Sequence, residues 1–358
     1  MNRLRVIVAD DSVTVRKRIV DVLSALPDFE VVAEAADGRE AIEACSKLRP
    51  DVVTLDMMMP VMTGLAATEY IMAYCPTPIL VVSASTNRGE LFKTYEALAA
   101  GALDVLEKPL GDDTDSAWEQ KLASTLRLIS RIKVITHPRG RLAMFRNGNG
   151  PGPHVSPAAP PPSPMPAQCR MVAIGASTGG PGAVVDILRE LPAKFPLPLL
   201  IVIHISRAFG AGFAEWLNGL SPFPVAFAQH GERIPAPGAC RVLLAPPDEH
   251  LVVRDGRLWL NREAERHSCR PSVDVLFESV AREFGAQAAA CLLTGMGRDG
   301  AEGLLAIRQA GGITFAQDES TSVVFGMPRE AIRLGAASQI LRLDQVAPVL
   351  AALNPVPR

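Results

Sequence analysis

From residue 147 to residue 168 the chain has no Lys, Arg, Asp or Glu, and eight of its 30 prolines fall there (NGNGPGPHVSPAAPPPSPMPAQ). Such a stretch cannot bury a core and reads as a semi-extended linker. It forces the rest of the 358 residues into two separate folding units, a division that the length also favours. The expected boundaries are a domain over 1–135, a basic and then proline-rich linker over 136–169, and a second domain over 170–358. No acid lies between Glu119 and Asp186, whereas Lys121, Arg127, Arg131, Lys133, Arg139, Arg141, Arg146 and Arg170 do. That run reads as a solvated helix end and tether, with a surface for an acidic partner as the alternative. Residues 1–135 hold 20 acids and 15 bases, the rest 18 and 21, so the halves carry opposite net charge.

Both halves alternate strand and helix signals. RVIVA, EVVAE, DVVTL, ILVVS and DVLEK are short β-branched runs, separated by helical stretches such as 13–25 and 39–48. Five βα units of this length predict a parallel sheet covered on both faces. MVAIG, LLIVIHI, RVLLA, ACLLT and ITFAQ repeat the pattern after the linker, with helices such as 182–190, 273–284 and 301–310 and a hairpin over 250–261. The expected class is therefore α/β twice over. Apolar residues make up 48% and no run of about 18 of them lacks charge, so no transmembrane span is expected. The sequence MNRLRVIVADDS carries no secretory signal. Six scattered cysteines without a CxxC pair favour free thiols in a reducing, cytoplasmic setting over zinc or disulfides. A net charge of −2, with no helix-turn-helix pattern, gives no reason to expect nucleic-acid binding.

In the first half, polar residues gather at the carboxyl ends of the expected strands: Asp10 and Asp11 after the first, Asp56 after the third, Ser83 at the fourth and Lys108 after the fifth. Ligands of open parallel sheets sit at that edge. Three gathered carboxylates repel one another unless a cation neutralises them, and Mg²⁺ suits oxygen ligands shared with phosphate and water. Lys108 would supply a point charge for a phosphoryl oxygen and Ser83 a hydroxyl donor, leaving Asp56 as a nucleophile toward phosphorus.

After the linker, Gly175-Ala176-Ser177-Thr178-Gly179 fits G-x-S-x-G between a strand and a helix, a turn that exposes a serine hydroxyl. Pro181 suits the first helical turn. A Gly-rich phosphate turn is the competing reading. His204, at the end of LLIVIHIS, is the candidate base, because His137, His154, His230, His250 and His267 fall in expected loops, linker or hairpin. Asp299 follows another strand and could orient the imidazole. Residues 295–300 (GMGRDG) also match G-x-G-x-x-G, with Asp318 near the spacing of a dinucleotide fingerprint. A carboxylate inside that turn argues against a pyrophosphate. Three function classes thus stand: a hydrolase, a phosphate-sequestering binding module, and a nucleotide-dependent enzyme.

Asp10-Asp11, Asp56 in TLDMMMP, Gly64, Ser83-Ala84 and Lys108-Pro109 resemble the receiver domain of two-component response regulators. The resemblance implies a flavodoxin-like five-stranded sheet, phosphorylation of Asp56 by a histidine kinase, and Mg²⁺ held by Asp11, Asp56 and Met58. Val105 stands where receivers carry Phe or Tyr, so no aromatic switch is expected there. IGASTGG, His204, APPDEH, RPSVDVLFESVA, LLTGMGRDGAEGL and FGMPREAI resemble the doubly wound catalytic domain of the chemotaxis protein-glutamate methylesterases, the CheB family. This second resemblance implies Ser177 as nucleophile, His204 as base and Asp299 as its orienting acid, with the Met296 N–H and Thr178 at the oxyanion site and no cofactor there. It further implies a receiver that covers the cleft until phosphorylated, glutamate methyl esters on chemoreceptor cytoplasmic helices as substrates, glutamine deamidation as a second activity, and no direct insertion into membrane.

Overall fold

The computed structural model describes residues 3–84, 88–109, 116–132, 134, 168–238 and 240–356. The chain divides into two compact units, residues 1–154 and 155–358. Most of the expected linker, and Lys133, Arg139, Arg141 and Arg146 of the basic run, lie outside the described residues. No helix among the described residues is long and apolar enough to cross a membrane.

In the first unit, β1 (Leu4–Ala9), β2 (Phe29–Ala35), β3 (Val52–Leu55), β4 (Ile79–Ser83) and β5 (Asp104–Glu107) alternate with α1 (Val13–Ser24), α2 (Gly38–Leu48), α3 (Gly64–Tyr74), α4 (Arg88–Ala99) and α5 (Ser116–Ile129). The sheet is parallel in the order β2-β1-β3-β4-β5. Every residue of β3 and β4 is buried, as helices on both faces demand. Helix starts follow the sequence: Ser12 accepts from the Val15 N–H, and Asp37 accepts from the N–H groups of Arg39 and Glu40. Ala9 pairs with Leu55, so Asp10 and Asp56 emerge side by side between β1 and β3, where the strand order reverses.

In the second unit, β7 (Met171–Ala176), β8 (Leu199–Ile203), β9 (Val225–Phe227), β10 (Val242–Leu244), β13 (Ala288–Leu292), β14 (Ile313–Gln317) and β15 (Gln339–Leu341) form one parallel sheet, ordered β15-β14-β13-β7-β8-β10-β9. Helices α6 (Gly180–Glu190), α9 (Val273–Phe284) and α10 (Ala301–Gln309) follow the pattern read from the sequence, and β11 (His250–Arg254) with β12 (Arg257–Asn261) is the expected hairpin. Shorter helices are α7 (Arg207–Gly210), α8 (Phe213–Leu220), α11 (Met327–Arg333) and α12 (Leu343–Ala351). Two edge strands, β9 and β15, carry no sequence signal because each spans three residues and is only partly buried. Gln168 and Cys169, read as linker, instead form β6, which pairs with β16 (Asn354–Pro355). The chain leaves β7 toward β8 and later returns to lay β13 against the other side of β7, making β7/β13 the switch point.

Two glycines test this packing in opposite directions. A Cβ on Gly64 would fall 1.9 Å from the Asp56 carbonyl oxygen, whereas Gly219 in α8 has nothing within 4 Å. Gly64→Ala is expected to destabilise the first unit by about 2 kcal/mol or more. Gly219→Ala should stabilise the second unit by about 0.5–1 kcal/mol, through helix propensity alone. Denaturant unfolding of each variant measures both signs.

Candidate active site

The Ser177 turn is built from small residues that its neighbours require. A Cβ on Gly175 would lie 2.2 Å from Val273 Cγ1, one on Gly180 2.7 Å from Ala176 Cβ, and one on Gly295 2.8 Å from Ser177 Cβ. Gly179 caps α6 at φ 78, a left-handed conformation that glycine adopts without strain. The Ser177 N–H donates to the Thr294 carbonyl at 3.0 Å, and Thr294 Oγ1 donates to the Thr178 carbonyl at 2.9 Å, pinning the turn to the loop after β13.

Ala176 pairs with Ile203, so Ser177 and His204 leave adjacent strands at the same level. His204 Nε2 lies 2.9 Å from Asp299 Oδ2. Asp299 is buried and also accepts from Ser272 Oγ at 2.7 Å, the Val273 N–H at 2.7 Å and the Asp274 N–H at 3.2 Å. Burial raises the Asp299 carboxyl, but His204, Ser272 and the Val273 N–H together outweigh it and leave the group below its ordinary value. Burial pulls the His204 imidazole down, while Asp299 and then Cys269 push it up to about 9. Since Nε2 is committed to Asp299, Nδ1 is the nitrogen left for a proton from substrate or serine. Its neighbour is Cys269 Sγ at 3.7 Å, and no hydrogen bond among the described residues joins Ser177 Oγ to the ring. The Met296 N–H has no hydrogen-bond partner among the described residues, as a donor held for an oxyanion would.

Two glycines of residues 295–300 pack against this site: Gly295 faces Ser177, and Gly300 at φ 88 caps α10 and makes room for Val273. The Asp299 carboxylate between them is taken up by Ser272 and the first turn of α9. The other histidines with described surroundings have local duties. His250 accepts from the Ser272 N–H at 3.1 Å, with Nε2 3.2 Å from the Ala264 carbonyl, and His230 Nδ1 lies 3.1 Å from the Leu260 carbonyl. His267 Nε2 meets Asp274 Oδ2 at 3.1 Å. Sequence reasoning assigned no role to Ser272 or Cys269. Ser272 had a usable signal, a serine just before the apolar period of α9, where it caps the helix. Cys269 had none.

At the other sheet edge, Asp10 and Asp56 are buried and Asp11 is exposed, with carboxylate oxygens of all three within 4.8 Å of one another. Lys108 Nζ lies 3.0 Å from Asp10 Oδ2 and 3.0 Å from Asp56 Oδ1. Burial raises Asp56 to about 6 against the lowering effect of Lys108, and raises Asp10 as well. The Met57 N–H donates to Asp56 Oδ1 at 2.8 Å, whereas Asp56 Oδ2 is buried with no partner. An orphaned carboxylate oxygen beside two further carboxylates fits a hard divalent cation such as Mg²⁺. The exposed thioether of Met58 does not suit such an ion; only its backbone carbonyl does. Ser83 is engaged within the protein. Its buried hydroxyl donates to Glu90 Oε1 at 2.5 Å, and the Ala84 N–H donates to the same oxygen at 2.8 Å. A buried hydroxyl needs a partner when no phosphoryl group is present, and Glu90 supplies one.

Comparison with known proteins finds a family match for each unit. The family model for the CheB methylesterase matches residues 172–350, and that for the response regulator receiver domain matches residues 6–115. A protein-glutamate methylesterase/protein-glutamine glutaminase from Nitrosospira multiformis is 44% identical over 353 residues, covering 98% of this chain and 97% of that protein. One from Anaeromyxobacter dehalogenans is 45% identical over 351 residues, covering 98% and 97%. The crystal structure of the Thermotoga maritima CheB methylesterase catalytic domain is 34% identical, covering 51% of this chain and 98% of that one, with a TM-score of 0.48. With relatives at this identity covered over nearly their full length, the chain belongs to the protein-glutamate methylesterase/protein-glutamine glutaminase family.

Proposed function

We propose that the protein is a phosphorylation-activated esterase that hydrolyses γ-glutamyl methyl esters on the cytoplasmic helices of chemoreceptors. The observation that carries this reading is the convergence of Ser177, His204 and Asp299 on one switch-point crevice, with Nε2 held by Asp299 and Nδ1 left clear of the acid. Ser177 Oγ attacks the ester carbonyl while His204 Nδ1 takes its proton. The Met296 N–H and Thr178 stand at the oxyanion. The same proton then leaves with methanol, and water attacks the acyl-enzyme to release glutamate and free Ser177. An amide leaves as ammonia by the same steps, which accounts for the glutaminase half of the relatives' name. Each turnover adds a carboxylate to a receptor helix, a local charge change that a signalling partner can read.

The receiver supplies control from the cytoplasm. Asp56 Oδ2 is the free nucleophilic oxygen, and Lys108 balances the charge of Asp10 and Asp56 before a phosphoryl group from a histidine kinase arrives. Asp11, Asp56 and the Met58 carbonyl would hold Mg²⁺, which when bound neutralises the phosphoryl oxygens. A nucleotide-dependent reading has no support in the turn at 295–300, whose carboxylate is saturated by protein donors.

Methanol release from methylated receptor tests the esterase. Ser177→Ala is expected to abolish release at wild-type stability, and a variant that still hydrolyses at the wild-type rate contradicts the nucleophile assignment. For the receiver, labelling by a small phosphodonor should require Mg²⁺ and should vanish in Asp56→Asn. Undiminished labelling in excess EDTA contradicts the cation site.

A further inference from the structure

His204 has one nitrogen to offer, and two residues have claims on it. Nε2 is held by Asp299, and Nδ1 has Cys269 Sγ at 3.7 Å while Ser177 makes no bond to it. The thiol is placed there by the fold. Cys269 closes a tight turn with Arg266 through two backbone hydrogen bonds, 2.9 and 3.2 Å, and the residues between, His267 (φ 53) and Ser268 (φ 59), are both left-handed without being glycine. Strain of this kind persists only where neighbours over-determine it. Here Arg266 is tied to Glu278 at 2.6 Å and Glu302 at 2.7 Å, and His267 to Asp274 and Arg298, each at 3.1 Å. Cys45, Cys75, Cys169, Cys240 and Cys291 are buried, whereas Cys269 is partly exposed, so it is not one more thiol filling a core.

We propose that Cys269 is a positioning residue for the esterase, occupying the Nδ1 face of His204 in the resting enzyme so that Ser177 must displace it to be activated. The sulfur fits either charge state of the ring. Against neutral imidazole the S–H donates to Nδ1. Against imidazolium, Nδ1–H donates to sulfur while the S–H turns to the His267 carbonyl, 3.4 Å away. The second arrangement favours the proton on His204, adding to Asp299. The groups facing the ring are Asp299 and Cys269; behind them stand Asp274, raised by burial to about 6, His267 and Arg298. A base must be neutral to accept a proton, so kcat/KM of the wild type should climb with pH from 7 and level off near the imidazole value of about 9.

The inference rests on His204 acting as the base, and two readouts separate it from that reading. The first is the His204 titration followed by imidazole NMR in the full-length protein, which needs no turnover. The second is the pH profile of methanol release. In Cys269→Ala both the titration midpoint and the acidic limb should move down in pH, and kcat/KM at pH 7 should rise about threefold, the scale of one weak hydrogen bond. Cys269→Ser, which keeps a shorter donor and acceptor in place, should fall between the two. An unmoved midpoint in a folded Cys269→Ala protein overturns the proposal, as does a lowered midpoint with kcat/KM unchanged or reduced. An acidic limb that fails to track the midpoint in the wild type itself points instead at the base assignment.

Discussion

The Asp299 carboxylate accepts from His204, from Ser272, and from two N–H groups in the first turn of α9, and so joins two pieces of the esterase unit. The first sets the tautomer of the base. The others anchor the N-terminus of α9, whose dipole favours a negative charge at that end. Val273 of the same turn fills the spaces left by Gly175 and Gly300, so the strand before the serine, the loop after β13 and the helix close on one another. A buried carboxylate is tolerable only when paired and hydrogen-bonded, and removing its cationic partner costs about 3–5 kcal/mol. Catalytic geometry and local stability therefore share a residue.

The receiver solves a related problem with a different partner. Two of its buried carboxylates, Asp10 and Asp56, are held by one ammonium, Lys108, whose own value burial pulls down and the two acids push up more strongly. That leaves Asp56 Oδ2 buried without a partner, a cost the resting domain carries. Ser83 avoids the same cost by bonding to Glu90, so its hydroxyl is already engaged. Any phosphoryl group at Asp56 must compete with that carboxylate for Ser83 and for the Ala84 N–H.

Much of this was legible in the sequence, for a physical reason. Strand ends in parallel α/β sheets gather at one edge, so a residue's place after a β-branched run already says where its side chain goes. Asp10, Asp56, Lys108, Ser177, His204 and Asp299 all obey that rule. What escaped depends on contacts between distant segments. No spacing in residues 250–275 reveals that a strained turn carries Cys269 to the His204 ring, or that Ser272 bonds to a residue 27 positions away. Nor does sequence say which imidazole nitrogen meets the acid. The short strands β6, β9, β15 and β16 were missed because two or three residues show no period.

The central claim is that Ser177, His204 and Asp299 act as one unit, and a double-mutant cycle on methanol release measures it directly. Asp299→Asn should cut kcat by a factor on the order of 10⁴, as when a base is held in the wrong tautomer. In a Ser177→Ala background the same change should cost nothing further, because the unit is already broken. Losses that multiply would mean that Asp299 serves the fold alone, and that the chemistry at Ser177 runs without it.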